Sequence, residues 1–178
     1  MNKYISIFFC VQIIALNLFA MQPKVTPVDY VRPQIDTHKS RWFFFSSASR
    51  PFGMVSLSPD TWTEGSWNSG YLYNSKEIRC FSHVHCWQLA GVPVMPTTGE
   101  VKGHKGMDAY KSTYSHETEI VKPGYHKVEL DTYQIRVELT STSRVGMHRY
   151  TYPAGEKANV LFDVGALLAH GKTEKAAI

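Results

Sequence analysis

Hydrophobic and polar positions alternate along much of the chain after residue 23, which is the pattern of half-buried β-strands. The segment PGYHKVEL opens on a Pro-Gly turn and places Val128 and Leu130 on one face. The segment YQIRVELT sets Ile135, Val137 and Leu139 against polar neighbours. MVSLS alternates, VGMHRYTY is rich in strand formers, and ANVLFDV is a short apolar run that predicts a strand buried on both faces. The pattern therefore predicts an all-β fold, an antiparallel β-sandwich.

The two ends of the chain follow other patterns. The first twenty residues, MNKYISIFFCVQIIALNLFA, place Lys3 before an apolar core and end on Ala20, which predicts a signal peptide. Gln12 and Asn17 interrupt this core, and it is shorter than the ~20 residues of a bilayer span. We therefore expect an exported protein, periplasmic or extracellular, with residues 21–178 forming one sandwich domain and no membrane span after cleavage. At the other end, GALLAHGKTEKAAI predicts either the start of a helix or a frayed tail.

Composition narrows the class of protein. The 178 residues are 43% hydrophobic, which suffices for one core. The net charge is +4, but the basic residues are scattered and form no run, so we expect no nucleic-acid partner. Signal cleavage would leave Cys80 and Cys86. In one extended strand their Cα atoms lie roughly 20 Å apart, too far for a disulfide, so both are expected to be buried thiols.

The stretch CFSHVHCWQ, residues 80–88, concentrates the candidate chemistry. As one extended strand it places Phe81, His83, His85 and Trp87 on one face. A zinc site centred on His83 and His85 is one hypothesis, but zinc needs a third and usually a fourth ligand, which the spacing does not supply. Rings and imidazoles on one face suit a sugar better, because imidazoles donate and accept hydrogen bonds to hydroxyl groups.

The loop just upstream, TWTEGSWNSGYLY, adds further rings at Trp62, Trp67, Tyr71 and Tyr73. Exposed aromatic residues in a loop rich in Gly and Ser are typical of recognition surfaces. The alternative is that Trp67 and Tyr71 are anchors of the core. Composition favours neither interpretation.

Five blocks occur in order between about Val28 and about Val164: RPFGMVSLSPDT, WNSGYLY, FSHVH, SHETEIVKPGYHKVEL and ELTSTSRVGMHRYTYP. Together they resemble the N-terminal domain of glycoside hydrolase family 92, bacterial exo-acting α-mannosidases that are often α-1,2-specific. Two segments depart from the family pattern. IDTHKSRWFFFSSAS replaces a Gly-rich turn that carries a histidine, and CWQL replaces a Gly-rich stretch, so the linkage preference stays open.

The resemblance implies a β-sandwich packed on an (α/α)-barrel catalytic domain that is absent from these 178 residues. That domain would carry the general acid, the general base and most ligands of a calcium ion, so for this chain the resemblance implies no catalytic residue, cofactor or metal ligand. It implies contacts to mannose-containing glycans instead. The expected substrate-binding residues are Trp67, Tyr71, His83, His85 and Trp87.

The carboxylates of the chain match no catalytic position of the family, and turn or surface roles are expected for them. They include Asp60, Glu64, Glu100, Asp108 and Asp131. In SPDT, Asp60 is expected to be a turn residue whose carboxylate accepts hydrogen bonds from nearby backbone N–H groups.

These observations predict a fragment of an exported α-mannosidase that hydrolyses terminal α-linked mannose. The fragment would supply pocket residues and would be inactive alone, because inverting hydrolysis needs two carboxyl groups that flank the bond. One alternative is a non-catalytic carbohydrate-binding module that uses the same aromatic face. Two others are the metalloprotein centred on His83 and His85, and a broken reading frame without a biological role.

Overall fold

The structure is a computed structural model that describes residues 25–38, 47–65, 70–85, 89–168 and 171–172. Its contacts divide the chain into two units, Met1–Val31 and Arg32–Ile178. The predicted signal peptide, Trp67, Cys86 and Trp87 lie outside the described residues. Within the described ranges, no helix is both long enough and apolar enough to cross a bilayer.

The described residues of the first unit contain one short 3-10 helix, Pro27–Tyr30. The Asp29 carboxylate accepts hydrogen bonds from the backbone N–H and the hydroxyl of Thr26, at 2.7 and 2.8 Å. Pro27 fits the first helical position, where a backbone N–H would have no partner in the helix. Because every residue of this helix is exposed, local hydrogen bonds rather than burial define it.

The second unit consists mainly of short strands, with a 3-10 helix at Gly103–Lys105 and a single-turn α-helix at Met107–Tyr110. In chain order the strands are β1 (Ala48–Ser49), β2 (Ser56–Asp60), β3 (Glu77–Ile78), β4 (Cys80–Ser82), β5 (Val84–His85), β6 (Leu89–Ala90), β7 (Val94–Thr98), β8 (Ser112–Thr113), β9 (Ile120–Lys122), β10 (Tyr125–Leu130), β11 (Ile135–Ser141), β12 (Gly146–Thr151), β13 (Ala158–Phe162), β14 (Leu167–Leu168) and β15 (Gly171–Lys172).

Two antiparallel sheets form the sandwich. The strand orders are β1-β2-β4-β7-β13 and β12-β11-β10-β9, and two-stranded ribbons pair β3 with β8, β5 with β6 and β14 with β15. One core cluster combines buried side chains of both sheets. It contains Leu57, Phe81 and Met95 from the first sheet, and Val128 and Val137 among those from the second. The predicted all-β antiparallel fold is confirmed.

The hairpin of β10 and β11 follows the predicted alternation. Val128 lies opposite Val137, and Leu130 lies opposite Ile135. These four side chains and Leu139 are fully buried, while the residues between them face outward or are half-buried. The period of two therefore predicts the correct face at every position of this hairpin.

One expectation near the C-terminus is wrong. The run of residues 158–164 is predicted to be buried on both faces, but β13 within it pairs only with β7 and is an edge strand. Val160 is 41% exposed and Phe162 is 59% exposed. Apolar β-formers favour a strand but do not distinguish a central strand from an edge. Beyond it, β14 and β15 pair as a ribbon, so no helix starts at Leu167–Leu168, and residues 173–178 lie outside the described part of the chain.

The expected single strand across residues 80–88 is also wrong over its described part. β4 ends at Ser82, His83 belongs to no strand, and β5 pairs with β6 in a separate ribbon. Phe81 lies in the core, whereas His83 and His85 contact different partners. The expected buried thiol is confirmed for Cys80, which is free and fully buried.

A valine pair tests the position of the core. Val137→Ala should lower the free energy of unfolding by about 2 kcal/mol, because two buried methyl groups are lost and a cavity remains. Val145, 56% exposed in the turn between β11 and β12, is the matched control. Val145→Ala should change the free energy by less than about 0.5 kcal/mol. Urea unfolding measures both, and equal losses would contradict this core.

Candidate functional site

The loop that carries Trp67 is closed at its base. The N–H groups of Thr61 and Trp62 donate to the Gly70 carbonyl at 3.0 and 3.1 Å, and the Gly70 N–H donates back to the Trp62 carbonyl at 2.6 Å. The Thr61 hydroxyl accepts from the Leu72 N–H at 2.8 Å. Gly70 has φ 111°, a conformation that favours glycine. These bonds fix both ends of the loop, while residues 66–69 lie outside the described part of the chain.

A buried ion pair lies against this loop base. Nε2 of His85 is 2.6 Å from Asp60 Oδ1, and Nδ1 is 2.5 Å from the Ser56 carbonyl oxygen. Both partners are acceptors, so the ring donates from both nitrogens and is an imidazolium. The two side chains are 1% and 0% exposed. Burial alone would lower the pKa of His85, but the charge of Asp60 and the two hydrogen bonds raise it above its usual value.

Asp60 therefore differs from its sequence interpretation. It was expected to be a turn residue that binds backbone N–H groups, but it lies in β2 with its side chain directed at other side chains. Its second carboxylate oxygen accepts from the Cys80 thiol at 3.4 Å. Burial is the main reason why the pKa of Cys80 is raised, and the charge of Asp60 adds to it. This cysteine is thus held as an inert thiol rather than a thiolate.

A second buried carboxylate, that of Glu119, contacts Tyr71, the residue after Gly70 at the base of the loop. Oε2 accepts from the Tyr71 hydroxyl at 3.0 Å and from His116 Nδ1 at 2.6 Å, and Oε1 accepts from His126 Nε2 at 2.8 Å. The Glu119 side chain is 2% exposed. Burial alone would raise its pKa, but the hydrogen bonds from His126, His116 and Tyr71 hold it below 4.5. The carboxylate is therefore fully engaged in positioning its neighbours.

The structure brings together two of the predicted substrate-binding residues at this base. Tyr71 belongs to the core cluster and is 4% exposed. His85 packs beneath Gly70, where a Cβ atom would lie 3.4 Å from the ring. Within this chain both residues anchor the loop, and their direct contact with a sugar stays a prediction.

The other predicted substrate-binding residues are placed differently. His83 is half-buried, and its Nε2 lies 2.9 Å from Nε2 of His148 on β12. It therefore does not share a partner with His85, and the hypothesis of a metal centre on His83 and His85 is not supported by the positions of the two rings. Trp67 and Trp87 belong to the segments that the structure does not describe.

A polar cleft of about 480 Å³ opens on the same unit. Arg79 lines this cleft. Its guanidinium lies over the Trp62 ring, 5.2 Å from the ring centroid, and forms an ion pair with the Asp108 carboxylate at 3.3 Å. Asp163 accepts from the Tyr110 hydroxyl at 2.7 Å. The volume suits a small ligand, and fixed donors and acceptors suit a polyhydroxyl compound. The lining residues are Thr63, Glu64, Arg79, Gly103, His104, Gly106, Met107, Asp163, Gly165 and Ala166.

Sequence reasoning missed this cleft. Its ionisable side chains come from segments that are far apart along the chain, namely Glu64, Arg79, His104 and Asp163. No local sequence motif contains these four residues. They come together in one cleft only when the chain folds. The local signal is the position of Glu64 inside the aromatic loop, where the sequence predicts only a turn or surface role.

Calcium, implied by the family resemblance for the catalytic domain, takes six to eight oxygen ligands. Within the described ranges, no group of three or more His, Cys, Asp and Glu residues is placed to hold a metal ion. The buried carboxylates of Asp60 and Glu119 already accept hydrogen bonds from histidines. These residues do not fit a calcium centre, and no step of the chemistry is assigned to one in this chain.

The fold is a β-sandwich of two antiparallel sheets with a braced loop and a polar cleft. Residues 30–178 match the model of the glycosyl hydrolase family 92 N-terminal domain. The chain therefore belongs to glycosyl hydrolase family 92, and the match covers its whole second unit. No curated protein matches it.

Solved structures from Bacteroides thetaiotaomicron are similar to the chain. The family 92 α-mannosidase BT3965 in complex with mannoimidazole is 37% identical with a TM-score of 0.64, over 71% of this chain and 18% of its own. The family 92 inverting mannosidase BT2199 is 27% identical with a TM-score of 0.63, over 78% of this chain and 20% of its own. The chain thus spans about a fifth of the length of these relatives.

The ion pair of His85 predicts how stability depends on pH. Because the folded-state pKa is raised, the contribution is complete below the unfolded value of 6.5 and is lost as pH rises through the folded pKa. We expect the free energy of unfolding to decline above pH 6.5 through this group. In His85→Gln this part of the decline should disappear. The variant should also lose about 3 kcal/mol at pH 6, because the charge of Asp60 stays buried without a cation.

Urea unfolding over a series of pH values measures both effects. His104→Gln is the control, because His104 is exposed and lies in the 3-10 helix Gly103–Lys105. It should keep the stability and the pH profile of the unchanged chain. A His85→Gln variant with the same decline above pH 6.5 as the unchanged chain would contradict the ion pair.

Proposed function

We propose that this chain is the N-terminal part of an exported α-mannosidase and that its aromatic loop helps to bind the terminal mannose of a glycan. The family match over residues 30–178 carries this proposal. It is supported by similarity to BT3965, which is described as an α-mannosidase and is 37% identical. Because the chain spans about a fifth of such relatives, hydrolysis is proposed for a longer polypeptide and not for these residues alone.

The braced loop supports the binding role. The Asp60–His85 ion pair and the Glu119 network hold Gly70 and Tyr71 at one end of the loop. Thr61 and Trp62, at the other end, are bonded to Gly70. A loop held at both ends presents its side chains with little loss of conformational entropy on binding. Trp67, between these ends, would stack on the apolar face of a pyranose. The neighbouring indole of Trp62 packs instead against the Arg79 guanidinium.

The carboxylates support a division of labour. An inverting glycosidase needs a general acid and a general base roughly 6.5–9.5 Å apart with room for a water molecule. Asp60 and Glu119 are buried and bonded to imidazoles, and Asp163 accepts from the Tyr110 hydroxyl. We therefore assign the proton transfers and the calcium ligands to the rest of the polypeptide. The chain alone should release no mannose.

A chimera tests this assignment. Residues 32–168 would replace the corresponding segment of BT3965, and mannose release from α-linked mannobiose would be compared with that of the isolated chain. The isolated chain should be inactive and the chimera active. In the chimera, Trp67→Ala should lower kcat/KM by about tenfold or more, equivalent to about 1.4 kcal/mol of lost contact energy.

The matched control is Trp62→Ala, which removes an indole whose face is already occupied by Arg79. Its effect on kcat/KM should stay below about threefold, a difference of less than 1 kcal/mol. Mannose release by the purified chain alone would refute the division of labour. Equal effects of the two tryptophan substitutions in a folded chimera would refute the role of Trp67.

The polar cleft favours a second candidate, a carbohydrate-binding module that needs no partner domain. It is formed by this chain alone and carries the Arg79 guanidinium, 15% exposed, beside acidic groups. Calorimetry with mannobiose distinguishes the two functions. The α-mannosidase proposal expects no heat at millimolar sugar, because half of the pocket is elsewhere. Binding that is lost in Arg79→Gln would favour the module.

A further inference from the structure

His83 and His148 converge outside the anchored loop, the first next to one sheet and the second in the other. His83 follows β4, and His148 lies on β12, 65 positions away in sequence. Their Nε2 atoms are 2.9 Å apart, with the ring centroids separated by 4.9 Å. Two nitrogen ligands of one tetrahedral zinc ion lie about 3.3 Å apart, given Zn–N bonds of about 2.0–2.1 Å. A movement of a few tenths of an ångström would therefore admit a metal ion.

The surroundings hold both rings in this orientation. Nδ1 of His148 is 2.7 Å from the Tyr150 hydroxyl, and the ring stands edge-on to Phe81. A histidine that binds a metal through one nitrogen usually has such a hydrogen-bond partner on the other. Gly146 faces His83, and a Cβ atom there would lie only 2.6 Å from the ring. The missing side chain thus leaves the space that the His83 imidazole occupies.

Both rings offer a lone pair at neutral pH. Burial lowers the pKa of His148 to about 4, and burial together with the charged His85 lowers the pKa of His83. The contacts allow two proton arrangements in the metal-free pair. Either Tyr150 donates to His148 Nδ1 and His148 Nε2–H donates to His83 Nε2, or His148 Nδ1–H donates to Tyr150 and His83 Nε2–H donates to His148 Nε2. When both rings carry their proton on Nδ1, Tyr150 accepts from His148 and both Nε2 atoms are free to bind a cation.

We propose that His83 and His148 form a two-histidine site for a divalent transition-metal ion, with zinc as the first choice. Imidazole nitrogen suits zinc, copper and nickel, whereas calcium and magnesium prefer oxygen. Solvent completes the coordination, since no third ligand residue is grouped with the pair among the described residues. The bound ion links β12 of one sheet to the segment after β4 of the other. Metal binding at this site does not require the proposed mannosidase function, although His83 is also one of the predicted substrate-binding residues.

Calorimetric titration of the chelator-treated full chain with zinc chloride tests the site. One equivalent should bind, and His83→Gln and His148→Gln should each weaken binding by tenfold or more. His38→Gln, at an exposed histidine outside the cleft, is the matched control and should bind as the unchanged chain does. Tyr150→Phe keeps both Nε2 atoms but loses the orienting hydroxyl, so its affinity should fall by about tenfold with unchanged stoichiometry.

A measurement on the unchanged chain covers the case in which a histidine variant fails to fold. Bound to copper, the chain should give an electron paramagnetic resonance spectrum with couplings from two imidazole nitrogens. Couplings from one or none would overturn the proposal. So would zinc binding that survives in folded forms of both histidine variants, or no zinc binding at 100 µM, a concentration at which a site of about 10 µM affinity would be about 90% occupied.

Discussion

The ion pair of Asp60 and His85 is the constraint on which the candidate site depends. Two opposite charges lie almost completely out of contact with water, and such groups are tolerated only when each satisfies the other. The pair joins the last residue of β2 to the last residue of β5 across 25 positions of sequence. Gly70 packs on the imidazole, so the loop that leaves β2 returns to rest on the same ion pair.

Burial changes what the aromatic and imidazole residues of this region do. Tyr71 and His85 have the chemistry of sugar contacts, but in this chain they support the loop from below. The side chains that hold Gly70 and Tyr71 fix one end of the loop, and the bonds of the Thr61 and Trp62 N–H groups to the Gly70 carbonyl fix the other. Specificity in such a design depends on a rigid base as much as on the residue that touches the ligand, because a loop that is ordered in advance loses less entropy on binding.

Local pattern predicted the hairpin of β10 and β11, because the alternation of Val128 and Leu130 with polar residues defines a face without reference to the rest of the chain. Local pattern failed where contacts with residues far away in sequence determine the structure. The strand predicted across residues 80–88 ends at Ser82, and its two histidines contact residues of other strands, His85 contacting Asp60 and His83 contacting His148. The cleft around Arg79 was missed for the same reason. Strand propensity and hydrophobic alternation predicted only an all-β sandwich. The resemblance to family 92 identified which β-sandwich domain it is.

One carboxylate separates the two histidines of the His-x-His motif into opposite chemical states. His85 faces Asp60 and a carbonyl oxygen, so it holds protons on both nitrogens and has no lone pair for a ligand. His83 faces another imidazole, and burial lowers its pKa, so it stays neutral with a lone pair available. The motif therefore cannot act as a joint metal ligand. The first histidine, His83, keeps a lone pair that can bind a metal ion, whereas the second, His85, is a buried cation without one. The second nitrogen ligand of the proposed site is therefore His148, from the opposite sheet.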